Sequence, residues 1–439
     1  MGMRFLRAGA SATEAVEASL RILEDKEITN AGYGSNLSID GTVECDATIV
    51  DHLGRSGACG AVPGIRNPIS LAKLILDMTS RPLSLRRVPP NTLVGEGARV
   101  FAEENGMVTY PNEHLVSKNA RDRFLRWHYD LFHTDDKVKD PRARSTTSQN
   151  LVEAGPCQNH QTAAIMVAQA ASRNSAASRD GGSQTRRDEL ALEAPQNSSQ
   201  GDGVQKDLYS SSWSSQDTRG VKRPRSEADE DGNAAKPSMK YGHPFQSRVD
   251  GEDIITDTIG AIAVDEKGHI AAGSSSGGIG MKHRGRLGPA ALVGIGTAVV
   301  PCTEDDEEGI TVAAVSSGTG EHMATTMASQ RCADRIYRGT RKGPRGVDIQ
   351  DDNDDAIINS FIAHDFINHP GVKNSHSAGA IGVMVVKRAP SGYYLHFAHN
   401  TDSFALASMG GTDEVPVCTM SRLPKKTNII GGGRRVPIN

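Results

Sequence analysis

The sequence predicts an α/β body interrupted by one long, mostly disordered insert. Two patterns predict the body: apolar residues at helical spacing and short paired strand segments occur on both sides of a polar stretch. Composition predicts the insert. Of 439 residues only 37% are apolar, and the mean hydropathy is −0.43, a lower apolar share than a chain folded along its whole length carries.

The first helix starts near Ser11. Ser11 and Glu14 have capping-box spacing, and Val16, Leu20 and Leu23 repeat on one face. Glu24 and Asp25 are unfavourable for the helix dipole, and the run NAGYG at 30–34 then stops the helix with glycines that tolerate positive φ. Strand-like segments are expected at 42–44 and 47–50, and helices over 69–76, behind Asn67 and Pro68, and over 95–104. Residues 1–139 therefore read as compact.

From Asp140 the texture changes. Residues 172–184 are mostly Ser, Arg, Gly and Ala, five serines surround Trp213 at 210–215, and charge and proline dominate 221–237. Such a segment buries too little apolar area to offset chain entropy. Only 161–172 has the spacing of a short helix, so 140–250 is expected to be a disordered insert, and 251–439 the second part of the body.

Order resumes abruptly at Ile254. TIGAIAV at 258–264 is an apolar strand, DEKG at 265–268 a turn, and 269–275 the return strand of a hairpin. A strand follows at 311–315. A helix is then expected to about Tyr337, with Met323, Met327, Cys332 and Ile336 on one face, and a second hairpin pairs 380–387 with 393–399.

Charge excludes some functions. The chain has 49 basic and 53 acidic residues, a net charge of −4 and a pI near 6.4, which gives no global reason to bind nucleic acid or a membrane surface. Its longest apolar runs, such as 381–386, are strand-sized against the ~20 residues of a bilayer span, and the chain reads as soluble. Six scattered cysteines form no CxxC pair. A reducing compartment fits, the even count leaves a disulfide open, and neither a cofactor nor a metal is expected.

The junction between Asp257 and Thr258 carries the chemistry. Disorder ends there, and a threonine begins a tightly apolar strand. An internal threonine hydroxyl is a weak nucleophile; scission of the preceding bond would give it an α-amine with a pKa of about 7.7–8.0, able to take the hydroxyl proton directly or through water. A long loop ahead of that bond lets the two new ends separate. Ser276, in the SSSGG run at 274–278, comes at the far end of the hairpin, where the return strand can bring it to Thr258. Lys282, Arg284 and Arg286 lie in a glycine-rich stretch able to hold a carboxylate. SSGTGE at 316–321 ends another strand, where hydroxyls and glycine N–H groups can line an oxyanion pocket. Each cluster also has a plain reading as a turn or a solvated face.

Together these residues resemble the threonine aspartase (taspase) branch of the asparaginase-2 family of N-terminal nucleophile hydrolases. The resemblance is carried by LEDKEITNAGYGSNL at 23–37, ECDATIVD at 44–51, VGEG at 94–97, DTIGAIAVD at 257–265, SSSGG at 274–278, GRLG at 285–288 and VSSGTGE at 315–321. It implies a four-layer αββα sandwich and self-cleavage between Asp257 and Thr258, with a β subunit of 258–439. It also implies a dimer of processed units. By the same resemblance Thr258 is the nucleophile, Ser276 the second active-site hydroxyl, Arg286 the grip on a substrate carboxylate, Ser317 and Gly318 the oxyanion site, and Asn36 a substrate-binding residue in the glycine loop facing the nucleophile.

Two departures shape the expected activity. Pro289 stands where small-substrate asparaginases carry an aspartate for the free α-amine, which points to an endopeptidase cutting after aspartate inside protein substrates. Only ten residues precede the first helix, where relatives have a core strand and a His/Gly-rich loop. The chain is expected to be part of a longer one or a poorly active form. Lys222, Arg223, Pro224 and Arg225 form a short basic cluster, and with the resemblance they point to the nucleus and/or cytoplasm. Two other functions compete: an asparaginase, isoaspartyl peptidase or glycosylasparaginase-like hydrolase of small amides, and an unprocessed non-catalytic scaffold.

Overall fold

The computed structural model describes residues 1–139, 257–303 and 305–436. The expected insert at 140–250, its short helix at 161–172 and the basic cluster at 222–225 lie outside the described residues.

The first part of the chain contributes helices α1 (Gly2–Arg7), α2 (Ala12–Glu24), α3 (Pro68–Thr79), α4 (Gly95–Glu104), α5 (Asn112–Leu115) and α6 (Lys118–Lys139), with strands β1 (Cys45–Val50), β2 (Ser56–Val62) and β3 (Thr92–Val94). Beyond the undescribed stretch, β4 (Ile259–Val264) and β5 (Ile270–Ser276) form a hairpin that completes the first sheet, in the order β3-β2-β1-β5-β4. The central pairing is between β1 and β5, with Asp46 opposite Ser276, so segments far apart in sequence share one sheet.

The second sheet has the order β14-β11-β10-β7-β6. Its strands are β6 (Thr297–Val300), β7 (Thr311–Gly318), β10 (Ile381–Ala389), β11 (Gly392–His399) and β14 (Ile430–Val436), with α7 (Gly320–Thr326), α8 (Ala328–Arg338) and α9 (Asp354–Ser360) between β7 and β10. Short pairs β8 (Thr340–Lys342) with β9 (Asp348–Gln350), and β12 (Ser403–Ser408) with β13 (Val417–Arg422), stand apart from both sheets.

The sheets pack on each other through Val50, Ile270, Ala272, Val299, Ala313 and Val315. On the far side of the first sheet, Val16 and Leu20 of α2 are buried over β4 and β5, and Ile69, Ala72 and Ile75 of α3 over β1 and β2. On the far side of the second, Cys332 and Ile336 of α8 and Ile357 and Ile358 of α9 bury against Val312, Ala314, Val383 and Val385. Each large aliphatic side chain removed from water in these layers contributes roughly 1.5–3 kcal/mol.

Local sequence explains most of the element ends. Ser11 and Glu14 form the expected capping box. Gly32, at φ +54, lies so close to Glu24 that a Cβ would fall 2.5 Å from the Glu24 carbonyl oxygen, so the chain can turn there only through glycine. Three expectations need correction. Residues 42–44 form no strand: Val43 N–H donates to Asn112 Oδ1, and the Glu44 carbonyl accepts from Lys282 Nζ, so these groups are satisfied outside any ladder. β2, missed in the sequence, is made of small residues because α3 lies directly on it. The helix expected across Met327 is two helices, because Met327 adopts φ 52, ψ 50; Ser329 and Gln330 N–H then donate to the Ile295 and Gly294 carbonyls.

Among the described residues, Cys45, Cys59, Cys302, Cys332 and Cys418 are free thiols, and no helix is long and apolar enough to cross a membrane.

Candidate active site

The β4–β5 hairpin builds the centre of the site. Ile259 pairs with Ser275, so Thr258, one residue ahead of β4, falls beside Ser276 at the end of β5. Thr258 Oγ1 donates to Ser276 Oγ at 2.9 Å. The same Ser276 oxygen accepts the Gly278 N–H at 3.0 Å, which fixes its position.

The bond ahead of Thr258 is held from both sides. The Asp257 carbonyl accepts the Asn30 N–H at 3.0 Å, a donor able to stabilise negative charge on that oxygen. Asp257 Oδ1 accepts both the Thr258 N–H and the Ser317 hydroxyl, each at 2.7 Å. Ser317, near the end of β7, therefore reaches the same junction as Ser276. Gly318 closes β7 opposite Ile381, where a Cβ would lie 2.1 Å from the Ala380 carbonyl oxygen; only glycine fits so close to the neighbouring backbone.

Asn30 ties the loop after α2 to the loop after β5. Its Nδ2 donates to the Gly278 carbonyl at 2.7 Å, its Oδ1 accepts the Asn36 N–H at 2.9 Å, and its carbonyl accepts the Gly277 N–H at 2.7 Å. Asn36 is buried, with Nδ2 on the Gly278 carbonyl at 3.1 Å and Oδ1 accepting from Arg123 Nε at 3.2 Å. Both ends of its amide are thus engaged in the scaffold of the loop. Asn30 was read in the sequence only as a helix stop. Its adjacency to the glycines of the loop was the available signal.

Arg286 lies to one side, with its side chain 14% exposed. Its Nε and Nη2 donate to Glu321 Oε1 at 3.0 and 2.9 Å, and Nη2 also reaches Oε2 at 3.0 Å. Gly278, Gly288 and Gly320 surround the guanidinium; a Cβ on them would lie 3.2, 3.0 and 2.7 Å from one of its terminal nitrogens. Pro289, buried at the start of a 3-10 turn, offers Arg286 no side-chain acceptor, and the carboxylate at this guanidinium comes from Glu321 instead. That contact, across 35 residues, was not visible in the sequence.

Two buried carboxyls brace the site. Asp46 is fully buried and accepts the Ala61 and Gly288 N–H groups, each at 2.8 Å, which anchors the turn after Arg286. Burial pushes its pKa up, against the opposing pull of nearby Lys282 and of those two hydrogen bonds. Glu24 accepts the Ser275 hydroxyl at 2.7 Å and the Ile69 N–H at 3.0 Å, and burial pushes its pKa up to about 7. The residue read as a poor helix end is thus the link between α2, α3 and β5.

This geometry, a threonine hydroxyl behind a held carbonyl at the end of a two-sheet sandwich, can be set beside known proteins. The asparaginase family model (Asparaginase_2) matches residues 1–188 and 194–343. An isoaspartyl peptidase/L-asparaginase of Xenopus laevis is 40% identical over 126 residues, 28% of this chain and 38% of its own length. That of Mus musculus is 40% identical over 121 residues, 27% of this chain and 34% of its own length. A probable isoaspartyl peptidase/L-asparaginase 2 of Arabidopsis thaliana is 27% identical over 315 residues, 70% of this chain and 66% of its own length. The chain spans little more than a third of the length of the first of these relatives.

These matches overturn the expected threonine aspartase branch. With it go the endopeptidase cutting after aspartate and the aspartate-containing protein substrates. Pro289 was weighed by itself, and the structure brings the Glu321 carboxylate to the neighbouring Arg286 guanidinium. The α/β sandwich is of the N-terminal nucleophile hydrolase type, and the chain belongs to the asparaginase family.

Proposed function

We propose that the chain is a self-processed amidohydrolase of the isoaspartyl peptidase and L-asparaginase type, with Thr258 as its nucleophile. The observation that carries this reading is the contact of Thr258 Oγ1 with Ser276 Oγ at 2.9 Å, beside an Asp257 carbonyl already held by the Asn30 N–H. The names of the relatives supply the substrate class. The four-layer αββα arrangement belongs to the same reading.

In the uncleaved chain, Thr258 Oγ1 attacks the Asp257 carbonyl carbon. The hydroxyl proton leaves through Ser276, the C–N bond breaks, and the amide nitrogen takes up a proton to become the α-amine of Thr258. Asp257 is then an ester on the threonine oxygen, and water releases it as a new C-terminal carboxylate. Departure of Asp257 frees the Ser317 hydroxyl to donate to an oxyanion, with Gly318 beside it.

Turnover repeats the chemistry with the α-amine as base. Thr258 Oγ1 attacks the side-chain amide carbon of asparagine, or the β-linked amide of an isoaspartyl dipeptide, and ammonia or the following amino acid leaves. Water hydrolyses the β-aspartyl ester to give aspartate. Arg286 receives the substrate α-carboxylate.

Intact mass and N-terminal sequencing test the first half of this reading, with a fragment beginning at Thr258 as the expected result. Ammonia release from L-asparagine and cleavage of β-Asp-Leu test the second. A folded protein that stays uncleaved, or processed protein inert on both substrates, would sink the proposal.

A further inference from the structure

L-Asparagine, an isoaspartyl dipeptide and the product aspartate each carry an ammonium and a carboxylate on one carbon, so their opposite charges arrive within a few ångströms of each other. A site that withdraws both from water must offer a cation and an acceptor at the same spacing, because an unpaired ammonium is strongly penalised there.

Arg286 and Glu321 are in contact, and so already have that spacing. Asp46, also near Arg286, is fully buried with one oxygen on the Ala61 N–H and the other on the Gly288 N–H. Glu321 is different. Its side chain is 63% exposed, it stands in the first turn of α7 just beyond Ser317 and Gly318, and the guanidinium it touches is packed among Gly278, Gly288 and Gly320. Gly278 in turn donates to Ser276, the partner of Thr258. The pair therefore borders the nucleophile through Gly278 and the oxyanion strand through Gly320.

We propose that Arg286 and Glu321 form a clamp for an α-amino acid head group: the guanidinium takes the carboxylate and Glu321 takes the ammonium. Glu321 is thus the specificity-determining residue that Pro289 cannot be. This rests on the amidohydrolase reading, but binding tests it without turnover.

The experiment is calorimetry of the processed protein with L-aspartate and with succinate, the same dicarboxylate without the ammonium, for wild type and Glu321→Gln. Wild type is expected to prefer L-aspartate, and Glu321→Gln to weaken L-aspartate by at least ~10-fold while moving succinate by less than about 3-fold. Equal weakening of both ligands would mean that Glu321 only steadies Arg286. Strengthening of both would mean that it competes for the carboxylate seat. Either result overturns the clamp, as does a wild type that binds the two alike or binds neither. A preference for L-aspartate without hydrolysis of asparagine or β-Asp-Leu would sink the amidohydrolase reading and leave the clamp standing.

Discussion

Thr258 and Ser276 are joined hydroxyl to hydroxyl, and the serine oxygen that receives the Thr258 proton is already fixed by the Gly278 N–H. A hydroxyl held in this way cannot rotate freely away from its partner, so the threonine oxygen is held in one position beside the bond it is proposed to attack. On the proposed self-processing, this is positional catalysis built into the uncleaved chain.

Thr258→Ala should leave the chain uncleaved and inert, since it removes the attacking oxygen. Thr258→Ser keeps a hydroxyl and should process more slowly. Ser276→Ala should fold and slow scission by about 10²-fold, within the range for losing a positioned proton-transfer group. Time-resolved gels of freshly refolded protein give all three rates. A Ser276→Ala variant that processes at the wild-type rate would mean that the observed contact plays no part in the step.

Asn30→Ala should slow scission although it preserves the backbone N–H on the Asp257 carbonyl. The amide side chain joins Asn36 to Gly278, and without it the loop carrying that N–H loses its tie to the end of β5. A shift of about 1 Å at a reacting centre can lower a rate ~10²-fold. The informative comparison is Asn30→Asp, which keeps the acceptor for the Asn36 N–H but sets an oxygen against the Gly278 carbonyl. It should be no better than Asn30→Ala; wild-type scission in both variants would remove Asn30 from the mechanism.

What the sequence makes legible follows physical range. The capping box of Ser11 and Glu14, the turn at 265–268 and the pairing of Thr258 with Ser276 depend on residues close in sequence or on the register of one hairpin. The break at Met327 depends on carbonyls of Gly294 and Ile295, about thirty residues earlier, and no local pattern announces it. Asn30 and Glu321 stood inside recognised runs, yet their partners come from other strands and loops, so their work was hidden. β2 was missed for a related reason: SGACGAV has a single branched residue, Val62, of the kind that usually marks a strand, and its small side chains make sense only beneath α3.

That explanation makes a contrast between two glycines. A Cβ at Gly57 of β2 would lie 2.1 Å from the Ala72 carbonyl oxygen and 2.4 Å from the Leu76 nitrogen, both backbone atoms of α3. Gly57→Ala must therefore push the helix off the sheet, and should destabilise by roughly 1–3 kcal/mol or more. At Gly97 in α4 a Cβ meets nothing within 4 Å. Gly97→Ala should stabilise by up to ~1 kcal/mol through helix propensity and the unfolded chain. Opposite shifts of the denaturation midpoint are expected, and equal shifts would count against the close packing of α3 on β2.

Glu24 sets a pH dependence of stability. Its folded pKa is about 7 against a reference of 4.5, raised chiefly by burial and only partly offset by Ser275 and the Ile69 N–H. Below pH 4.5 the carboxyl is protonated in both folded and unfolded chains, and the folded state keeps its full contribution. Between pH 4.5 and 7 the unfolded chain releases the proton while the folded chain retains it, so stability falls as pH rises, by roughly 2–4 kcal/mol across the window. Above pH 7 both states are ionised and this contribution has been lost. Glu24→Gln keeps an oxygen for Ser275 and Ile69 and cannot ionise; its nitrogen replaces Oε2, which has no hydrogen-bond partner among the described residues. The variant should therefore be about as stable as wild type, or slightly less so, at pH 5 and clearly more stable at pH 8. Urea unfolding of both proteins in the uncleaved Thr258→Ala background keeps the comparison to a single chain. If Glu24→Gln leaves the difference between pH 5 and pH 8 unchanged, the buried carboxyl is not what titrates.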